Sequence, residues 1–214
     1  MKKFFKNFLS FFFLLDTWRD VVIIIVLVFA IRTFVISPYR ISGPSMCDTL
    51  NAYNNGACNH GEGEYIIVSK FMYFFREPER SDVIVFVNPN GHGESFIKRV
   101  IGLPGETVVL RGGFVYIENE AYPEGFKLDE SAYLNEKNLG YTKAFSLETR
   151  FEVPAESYFV MGDNRVESLD SRAHFSSTFN IDGKATAFVP KESISGMAWI
   201  ILWPFSEIKL IGEK

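Results

Sequence analysis

A serine in a constrained turn is the first side chain of this sequence that could act as a nucleophile. Ser45 lies in the segment RISGPSMCDTL, residues 40–50, directly after Gly43 and Pro44. Because a residue that precedes proline is pushed out of the helical region, the chain should approach Ser45 in an extended conformation. Such a turn can keep a hydroxyl exposed with its backbone N–H free. Taken alone, however, a serine after Gly-Pro is more typical of an ordinary surface turn.

A lysine within an apolar run is the second candidate. The segment SFIKRVI, residues 95–101, has the composition of a buried strand but contains Lys98 and Arg99 side by side. Side chains alternate between the faces of a strand, so Lys98 shares a face with Phe96 and Val100, and Arg99 lies on the other face. If one face is at the solvent, one of the two charges is explained. We therefore expect the lysine to be either snorkelling or desolvated.

A desolvated lysine could serve as the base that a catalytic serine needs. Burial can lower the pKa of a lysine by several units from its ordinary value of about 10.4, whereas the guanidinium of Arg99 does not deprotonate at usable pH. The three histidines are weaker candidates, because His60, His92 and His174 occur in loop-like segments without an obvious orienting carboxylate. Taken alone, however, a snorkelling strand lysine is the more typical interpretation of this segment.

A polar loop follows an apolar strand in the segment FVMGDNRVESLDSR, residues 159–172. It predicts one of two structures. The first is a capped loop held by Asp–Arg pairing. The second is a set of groups that supports the lysine, in which a hydroxyl orients the amine by a hydrogen bond and an ion pair holds that hydroxyl in place. Spacing does not choose between the two. The segment GLPG, residues 102–105, predicts a tight turn directly after the lysine strand.

Composition limits the class of protein. The chain has 214 residues, a formal net charge of −4 and 47% hydrophobic residues, which suits one sizeable domain plus a further segment. The mild acidity and the lack of a basic stripe argue against a nucleic-acid partner. The two cysteines exclude a disulfide framework but allow one bridge.

The N-terminal region predicts a membrane anchor. The apolar run VVIIIVLVFAIRTFVI, residues 21–36, would span roughly 24 Å as a helix, against a hydrocarbon core of ~30 Å. Interfacial Trp18 and a snorkelling Arg32 extend this to a transmembrane helix over residues 18–37. A cleavable signal peptide is the alternative, but no small-residue cleavage site follows the run.

The charges around this run predict its orientation. Four basic residues lie before the apolar run, namely Lys2, Lys3, Lys6 and Arg19, against Arg32 near its far end and Arg40 soon after it. By the positive-inside rule the N-terminus is cytoplasmic and the rest extracytoplasmic, so a single-pass protein of the cell membrane with lipid as a partner is expected. Residues 1–17 are predicted to be a cytoplasmic or interfacial segment.

The remainder of the chain predicts a mainly β fold. Short β-branched or aromatic runs bounded by Gly, Pro, Asn and Asp recur from Tyr65 onward, and Arg-Gly-Gly at 111–113 predicts a hairpin turn. The final run MAWIILWPF is too short for a second span and predicts a core strand. We expect residues 38–214 to form a largely antiparallel β-sheet or barrel-like catalytic domain, with irregular insertions at 51–64 and 121–150.

Four of these segments, in this order, resemble type I signal peptidases, which are membrane-bound serine endopeptidases with a Ser-Lys dyad. The matching blocks are GPSM with TL at 43–50, RSDVIVF at 80–86, KRVIGLPG at 98–105 and YFVMGDNRVESLDSR at 158–172. The resemblance implies a largely antiparallel β domain, neither cofactor nor metal, and as substrates the signal peptides of exported preproteins, which are cut after small residues of the A-x-A type.

The resemblance also implies roles for particular residues. Ser45 would be the nucleophile, with its N–H in the oxyanion hole, and Lys98 would be the general base. Ser168 would hydrogen-bond the lysine amine, while Asp170 and Arg172 would form a supporting ion pair. Beyond the resemblance, we place Ile41 and Ile97 in the walls of the small-residue pockets.

The sequence departs from the family pattern at three places. Some members carry an oxyanion-hole serine where this chain has Gly43, and Ser42 lies one residue earlier, so the second donor stays open between these positions. Asp48 replaces the usual proline, which places a carboxylate near the serine. The segment 51–64 is longer than the usual turn.

This longer segment contains Cys58, eleven residues after Cys47. Cys47 and Cys58 would both face an oxidising exterior, where a disulfide that closes a loop of this length is worth roughly 3 kcal/mol. We predict a bridge; two free thiols, or a metal site that uses Cys58 and His60, are the alternatives.

Two other functions fit parts of the sequence. A self-cleaving repressor-type protease also uses a Ser-Lys pair, but it would need a DNA-binding helix-turn-helix where this chain has an apolar anchor. A catalytically inactive, membrane-tethered β module that binds exported chains is the other alternative, and the presence of Ser45, Lys98 and Ser168 argues against it.

Overall fold

The structure of the chain is a computed structural model, and it describes residues 18–51, 57–91, 93–145, 147–175 and 185–211. The predicted cytoplasmic or interfacial segment, residues 1–17, lies outside the described residues, as do residues 52–56 of the predicted insertion.

The first element is the helix α1, Trp18–Ala30, which continues into a π-helical turn, Ile31–Val35. The helical part ends at Val35, two residues before the predicted end of the helix, and the chain is extended from Ile36. Pro38 explains the difference, because a proline cannot continue the hydrogen-bond ladder and it forces the preceding residue into an extended conformation. Among the described residues, no helix combines the length and the hydrophobicity that crossing a membrane requires.

Two antiparallel sheets make up the rest, in agreement with the mainly β prediction. The larger has the order β1-β2-β11-β3-β4-β9-β10 with β12 beside β11, and the smaller has the order β7-β6-β5-β8. The strands of the larger sheet are β1 Ile36–Ser42, β2 Glu62–Ser69, β3 Val83–Val87, β4 Ser95–Gly102, β9 Ser157–Met161, β10 Val189–Pro190, β11 Ile194–Trp203 and β12 Lys209–Leu210. Those of the smaller sheet are β5 Thr107–Arg111, β6 Phe114–Asn119, β7 Tyr122–Lys127 and β8 Arg150–Glu152.

Strand β4 is covered on both faces, so the expectation that one of its charges lies at the solvent is wrong. Lys98 is 4% exposed and Arg99 is 3% exposed. The strand runs between β3 and β9, and its two faces join different apolar clusters. Val100 packs with the cluster around Phe86, whereas Ile101 packs with the cluster around Phe159. Both cations must therefore find partners inside the protein.

The connections of the smaller sheet differ in part from expectation. The predicted hairpin turn joins β5 to β6, and both Gly112 and Gly113 have the positive φ that a tight two-residue hairpin requires. The segment 121–150 is less irregular than predicted, because β7 pairs with β6 within it and β8 begins at Arg150. The insertion at 51–64 likewise ends in strand, since β2 starts at Glu62.

The last apolar run forms strand β11, as predicted, between β2 and β3. Only its inward face belongs to the core, where Ala198 and Ile201 are buried, and the outward face leaves Trp199 and Trp203 about half exposed. A register shift between Ala198 and Ile200 interrupts the strict alternation, so two residues three positions apart both reach the core.

Candidate active site

Ser45 lies on a tight turn that follows β1. Gly43 has a φ of +81°, which reverses the chain at the end of the strand, and the Cys47 N–H donates to the Pro44 carbonyl oxygen at 2.9 Å. Met46 and Leu50, after the serine, are buried in the apolar cluster that also contains Ile41. The turn is thus anchored in the core while the serine itself stays at the surface of a cleft.

The Lys98 amine is in direct contact with the Ser45 hydroxyl. Lys98 Nζ donates to Ser45 Oγ at 2.8 Å and to the Ile97 carbonyl oxygen at 2.8 Å. The amine also lies 5.3 Å from the centroid of the Phe96 ring. The two residues that the sequence put forward as nucleophile and base, 53 positions apart, are therefore within hydrogen-bond distance.

Burial changes the titration of this lysine. Desolvation lowers the pKa of Lys98 to about 8, against the opposing charges of Asp170 and Asp163 and with a contribution from the Arg172 cation. At this pKa roughly one amine in ten is neutral at pH 7, compared with fewer than about one in a thousand for a solvated lysine. The site can thus supply a neutral amine beside a hydroxyl near neutral pH.

A buried ion pair lies behind the lysine. Arg172 Nη2 donates to Asp170 Oδ2 at 2.7 Å and Arg172 Nε donates to Asp170 Oδ1 at 2.9 Å, while the Gly162 N–H donates to the same carboxylate at 3.0 Å. Burial alone would raise the pKa of Asp170, but the Arg172 charge and these hydrogen bonds hold it below its usual value. The predicted pairing of Asp170 with Arg172 is present, and its carboxylate is ionised.

Ser168 does not make the predicted hydrogen bond to the lysine amine. Its Oγ is buried and has no hydrogen-bond partner among the described residues, because the amine donates to Ser45 and to the Ile97 carbonyl instead. It lies close enough to Asp170 to favour the charged carboxylate, but outside hydrogen-bond geometry. An unpaired hydroxyl at this position remains available to a neighbour that moves.

Gly162 explains how the polar loop approaches the serine so closely. A Cβ atom at this position would lie 2.2 Å from Ser168 Oγ and 2.3 Å from the Ser45 carbonyl oxygen. No side chain fits in that space. The sequence showed Gly162 only as the end of a strand, and nothing in its pattern indicated the contact.

Arg99 connects the same loop to the end of the serine turn. Its Nε and Nη2 donate to Asp163 Oδ1 and Oδ2 at 2.8 and 2.6 Å, and its Nη2 also donates to Thr49 Oγ1 at 3.0 Å. The Asp163 carboxylate accepts a further hydrogen bond from the Thr49 hydroxyl. Sequence reasoning considered Arg99 only as an unsuitable base and missed this role, although a charge in an apolar run was the signal that could have suggested it.

A cleft of about 460 Å³ leads to Ser45 and Lys98. One wall is residues 39–45 and the other is residues 94–98. Strand β1 is the edge of the larger sheet, and the pairing of β4 with β9 begins only at Arg99. The two strand edges therefore face each other across the cleft. Ile41 and Ile97, the predicted pocket walls, both line it.

The two candidate positions for a second oxyanion donor also lie beside the cleft. The Gly43 N–H already donates to the Gly61 carbonyl oxygen at 3.1 Å, and Ser42 is exposed at the rim. By contrast, the Ser45 N–H donates no hydrogen bond within the described residues.

The remaining departures from the family pattern are also visible. Cys47 and Cys58 are joined by a disulfide with their Cα atoms 5.5 Å apart, which takes the sulfur that the alternative metal site would need. Asp48 has a φ of +106°, which a proline cannot adopt, and its carboxylate accepts hydrogen bonds from Asn135 N at 3.1 Å and Asn138 Nδ2 at 2.9 Å. Burial raises the pKa of Asp48 despite these bonds. The carboxylate thus connects the serine turn to the segment 121–150.

Comparison with known proteins gives a consistent result. The family model described as "Signal peptidase, peptidase S26" matches residues 14–203. A signal peptidase I of Bacillus amyloliquefaciens is 31% identical over 198 residues, which cover 91% of this chain and 91% of the relative. One from Leptolyngbya laminosa is 34% identical over 207 residues, 93% of this chain and 84% of the relative. A solved signal peptidase I of Enterococcus faecalis is 36% identical and covers 57% of this chain and 97% of its own, with a TM-score of 0.41. The chain belongs to the signal peptidase family, peptidase S26.

Proposed function

We propose that this chain is a serine endopeptidase that removes signal peptides from exported preproteins, with Ser45 as the nucleophile and Lys98 as the general base. The observation that carries the proposal is the 2.8 Å contact between the buried Lys98 amine and the Ser45 hydroxyl at the end of an open cleft. Membership of the signal peptidase family supports the class of substrate.

The geometry supports acyl transfer by a neutral amine. Lys98 takes the proton of Ser45 Oγ as this oxygen attacks the scissile carbonyl carbon, and the Ser45 N–H stabilises the oxyanion that forms. The ammonium then returns the proton to the leaving amine of the mature protein. The amine, neutral again, activates a water molecule that hydrolyses the acyl-enzyme. No step of this mechanism requires a metal or a cofactor.

Ser168, Asp170 and Arg172 act as positioning residues in this proposal. When Ser45 is acylated, the lysine amine loses the hydroxyl to which it donates, and the unpaired Ser168 Oγ is the nearby group that can accept in its place. The Asp170–Arg172 pair holds the Gly162 backbone next to the serine, and the Arg172 charge helps to lower the pKa of Lys98. Because the Gly43 N–H already donates to the Gly61 carbonyl oxygen, Ser42 at the rim of the cleft is the remaining candidate for the second oxyanion donor.

The cleft suits an extended peptide. A substrate strand between β1 and β4 would form main-chain hydrogen bonds with the facing edges, which is recognition by strand addition. Ile41 is buried in the wall and Ile97 is partly buried opposite, so that little depth remains for a side chain. A preference for small residues before the scissile bond follows from this.

We further propose that the N-terminal helix anchors the chain in the cell membrane, with lipid as a partner. Every residue from Val22 to Phe29 is apolar and exposed, so α1 makes no use of its hydrophobic surface within the fold. The distribution of basic residues favours a cytoplasmic N-terminus and an extracytoplasmic catalytic domain. The disulfide is in keeping with an oxidising exterior. Protease protection of tagged termini in membrane vesicles would test this orientation.

Cleavage of a preprotein with an A-x-A site in detergent tests the function. Wild-type protein should release the mature chain, and Ser45→Ala and Lys98→Ala should each reduce the rate by at least about a thousandfold. Lys98→Arg is the matched control for charge, since it keeps a cation but cannot become neutral, and it should be equally inactive. Full activity in any of these folded variants would refute the dyad. A wild-type protein that binds the peptide and returns it uncut would identify a binding module instead.

A further inference from the structure

The Ser45 turn is tied on both sides of the nucleophile to one short segment. Two residues before the serine, the Gly43 carbonyl oxygen accepts a hydrogen bond from Asn51 Nδ2 at 2.9 Å. Two residues after it, Cys47 is bonded to Cys58. We call Asn51 together with residues 57–61 the brace. The brace residues do not line the cleft; they meet its wall at Gly43, which belongs to the serine turn.

Asn51 is the centre of the brace. It is 2% exposed, and its Nδ2 is shared by the carbonyl oxygens of Gly43, Asn59 and Gly61 at 2.9 to 3.2 Å. Its Oδ1 accepts from Asn59 Nδ2 at 3.2 Å, and its N–H donates to Glu64 Oε2 at 2.7 Å. Its φ of +62° is one that asparagine tolerates better than most residues. The amide nitrogen of this side chain thus holds backbone around the serine turn, and its oxygen holds the Asn59 side chain.

The rest of the brace adds two contacts to the same turn. The Gly61 carbonyl oxygen accepts from the Gly43 N–H at 3.1 Å, and Cys58 provides the disulfide. Asn164, from the polar loop, contacts both the serine turn and the brace. Its Nδ2 donates to the Pro44 carbonyl oxygen at 3.2 Å and lies 3.7 Å from Cys58 Sγ. The brace is therefore packed between the serine turn and the loop that carries Ser168.

The two catalytic partners depend on very different supports. Lys98 lies in a strand of the sheet interior, paired with Ile84 of β3 and directly before Arg99, where the pairing with β9 begins, whereas Ser45 is on a turn without a ladder of its own. A displacement of about 1 Å between reacting groups can cost on the order of a hundredfold in rate. Contacts that fix the turn relative to the sheet therefore influence catalysis directly.

We propose that the brace positions Ser45 for attack, with Asn51 as a positioning residue, and that the Cys47–Cys58 disulfide makes the acylation rate depend on the redox state of the surroundings. This rests on the proposed function. Reduction by a dithiol breaks the S–S bond, and two electrons and two protons from the dithiol give two thiols while the dithiol becomes a disulfide. One of the two ties that flank Ser45 is then lost. The Asn164 N–H still donates to the Ser45 carbonyl oxygen, so the loss is partial.

Steady-state kinetics on three forms of the protein test the proposal. These are Asn51→Gly, which keeps the positive φ but removes the amide, the double variant Cys47→Ser/Cys58→Ser, and wild type treated with dithiothreitol. Each should lose about ten- to a hundredfold in kcat with less than a twofold change in KM, because the cleft walls are intact. The pH at which activity falls on the acid side should not move, because no brace residue contacts the lysine amine.

Asn90→Gly is the matched control. Asn90 also joins backbone segments through its amide, with Nδ2 bonds of 2.8 Å to the His174 carbonyl oxygen and 2.7 Å to the Thr186 carbonyl oxygen, but it lies outside the serine turn. This variant should lower Tm without changing kcat. Dithiothreitol should have no further effect on the double cysteine variant.

The possible failures are distinguishable. If oxidised wild type does not cleave a preprotein, the proposed function fails. If it cleaves, and folded Asn51→Gly and reduced wild type keep full kcat with only a lower Tm, the brace is merely structural and this inference is overturned. Should Asn51→Gly not fold, reduction of the folded wild type and recovery of kcat on reoxidation decide the matter alone.

Discussion

The Arg172 guanidinium donates two parallel hydrogen bonds to the Asp170 carboxylate, and neither side chain is exposed to solvent. The pair acts on Lys98 in opposite directions, because the Asp170 charge raises the pKa of the lysine and the Arg172 charge lowers it. Of these two, the carboxylate has the larger effect. The ion pair thus limits how far burial can push the amine toward its neutral form.

Asp170→Asn should therefore lower the pH below which kcat/KM falls. We call this falling part of the pH profile the acid limb. The variant removes the charge that stabilises the ammonium and leaves the Arg172 cation behind, so the pKa of Lys98 falls further. Stability should fall by about 3–5 kcal/mol, because a buried guanidinium loses its counter-ion. A pH profile of kcat/KM and denaturant unfolding would measure the two effects.

Glu130→Gln is the control for this prediction. It breaks another buried ion pair, that of Glu130 with Arg165, which does not affect the pKa of Lys98. A comparable loss of stability with an unmoved acid limb is expected. If both variants moved the limb equally, a general loosening of the fold would be the better explanation.

The wild-type pH profile follows from the lysine itself. Since only the neutral amine can accept the Ser45 proton, kcat/KM should rise with pH, tenfold per unit below the pKa, and level off above about 8. The burial of Lys98 gives the profile this midpoint, so a midpoint near 10.5 would contradict a desolvated base. Stopped cleavage assays between pH 6 and 10, with Tm followed at each pH, would measure it.

Lys98 should also lower the stability of the fold that contains it. A folded-state pKa below the ordinary value means that the folded protein binds the proton less well than the unfolded chain, so the cost is full below about pH 8 and disappears as pH rises toward 10.5. Lys98→Met should thus be inactive yet more stable by about 3 kcal/mol at pH 7, from the shift at ~1.4 kcal/mol per unit. Urea unfolding at pH 7 and pH 10 should show the difference shrinking with pH; a constant difference would assign it to packing alone.

The fold class and the pairing of Ser45 with Lys98 could be anticipated because their signals are local. Alternating apolar runs and Gly-Gly turns predict antiparallel strands, and a lysine flanked by Phe96 and Val100 left desolvation open beside snorkelling until the family resemblance favoured a dyad. The expectation of a solvent-facing side on β4 failed because coverage of a face depends on how distant strands pack. That information is not contained in the strand's own sequence.

The supporting contacts could not be predicted for a related reason. The Arg99–Asp163 pair joins residues 64 positions apart, and the Asp48 carboxylate reaches residues 87 to 90 positions away. Only the tertiary structure decides such partners. Ser168 shows the reverse case, since the resemblance assigned it a bond to the amine that the structure does not make.

Gly162→Ala should disable the site without touching either catalytic side chain. The added methyl would lie 2.3 Å from the Ser45 carbonyl oxygen, which is backbone and cannot rotate away, so the serine turn must move relative to Lys98. A loss of about a hundredfold in kcat is expected for a shift of ~1 Å. Gly102→Ala is the matched control, because its Cβ would meet Val108 Cγ2 at 2.4 Å, between strands and away from the serine. Gly102→Ala should have a lower Tm and an unchanged kcat. If the two variants lost kcat to the same extent, the contact at Gly162 would have no special importance for catalysis.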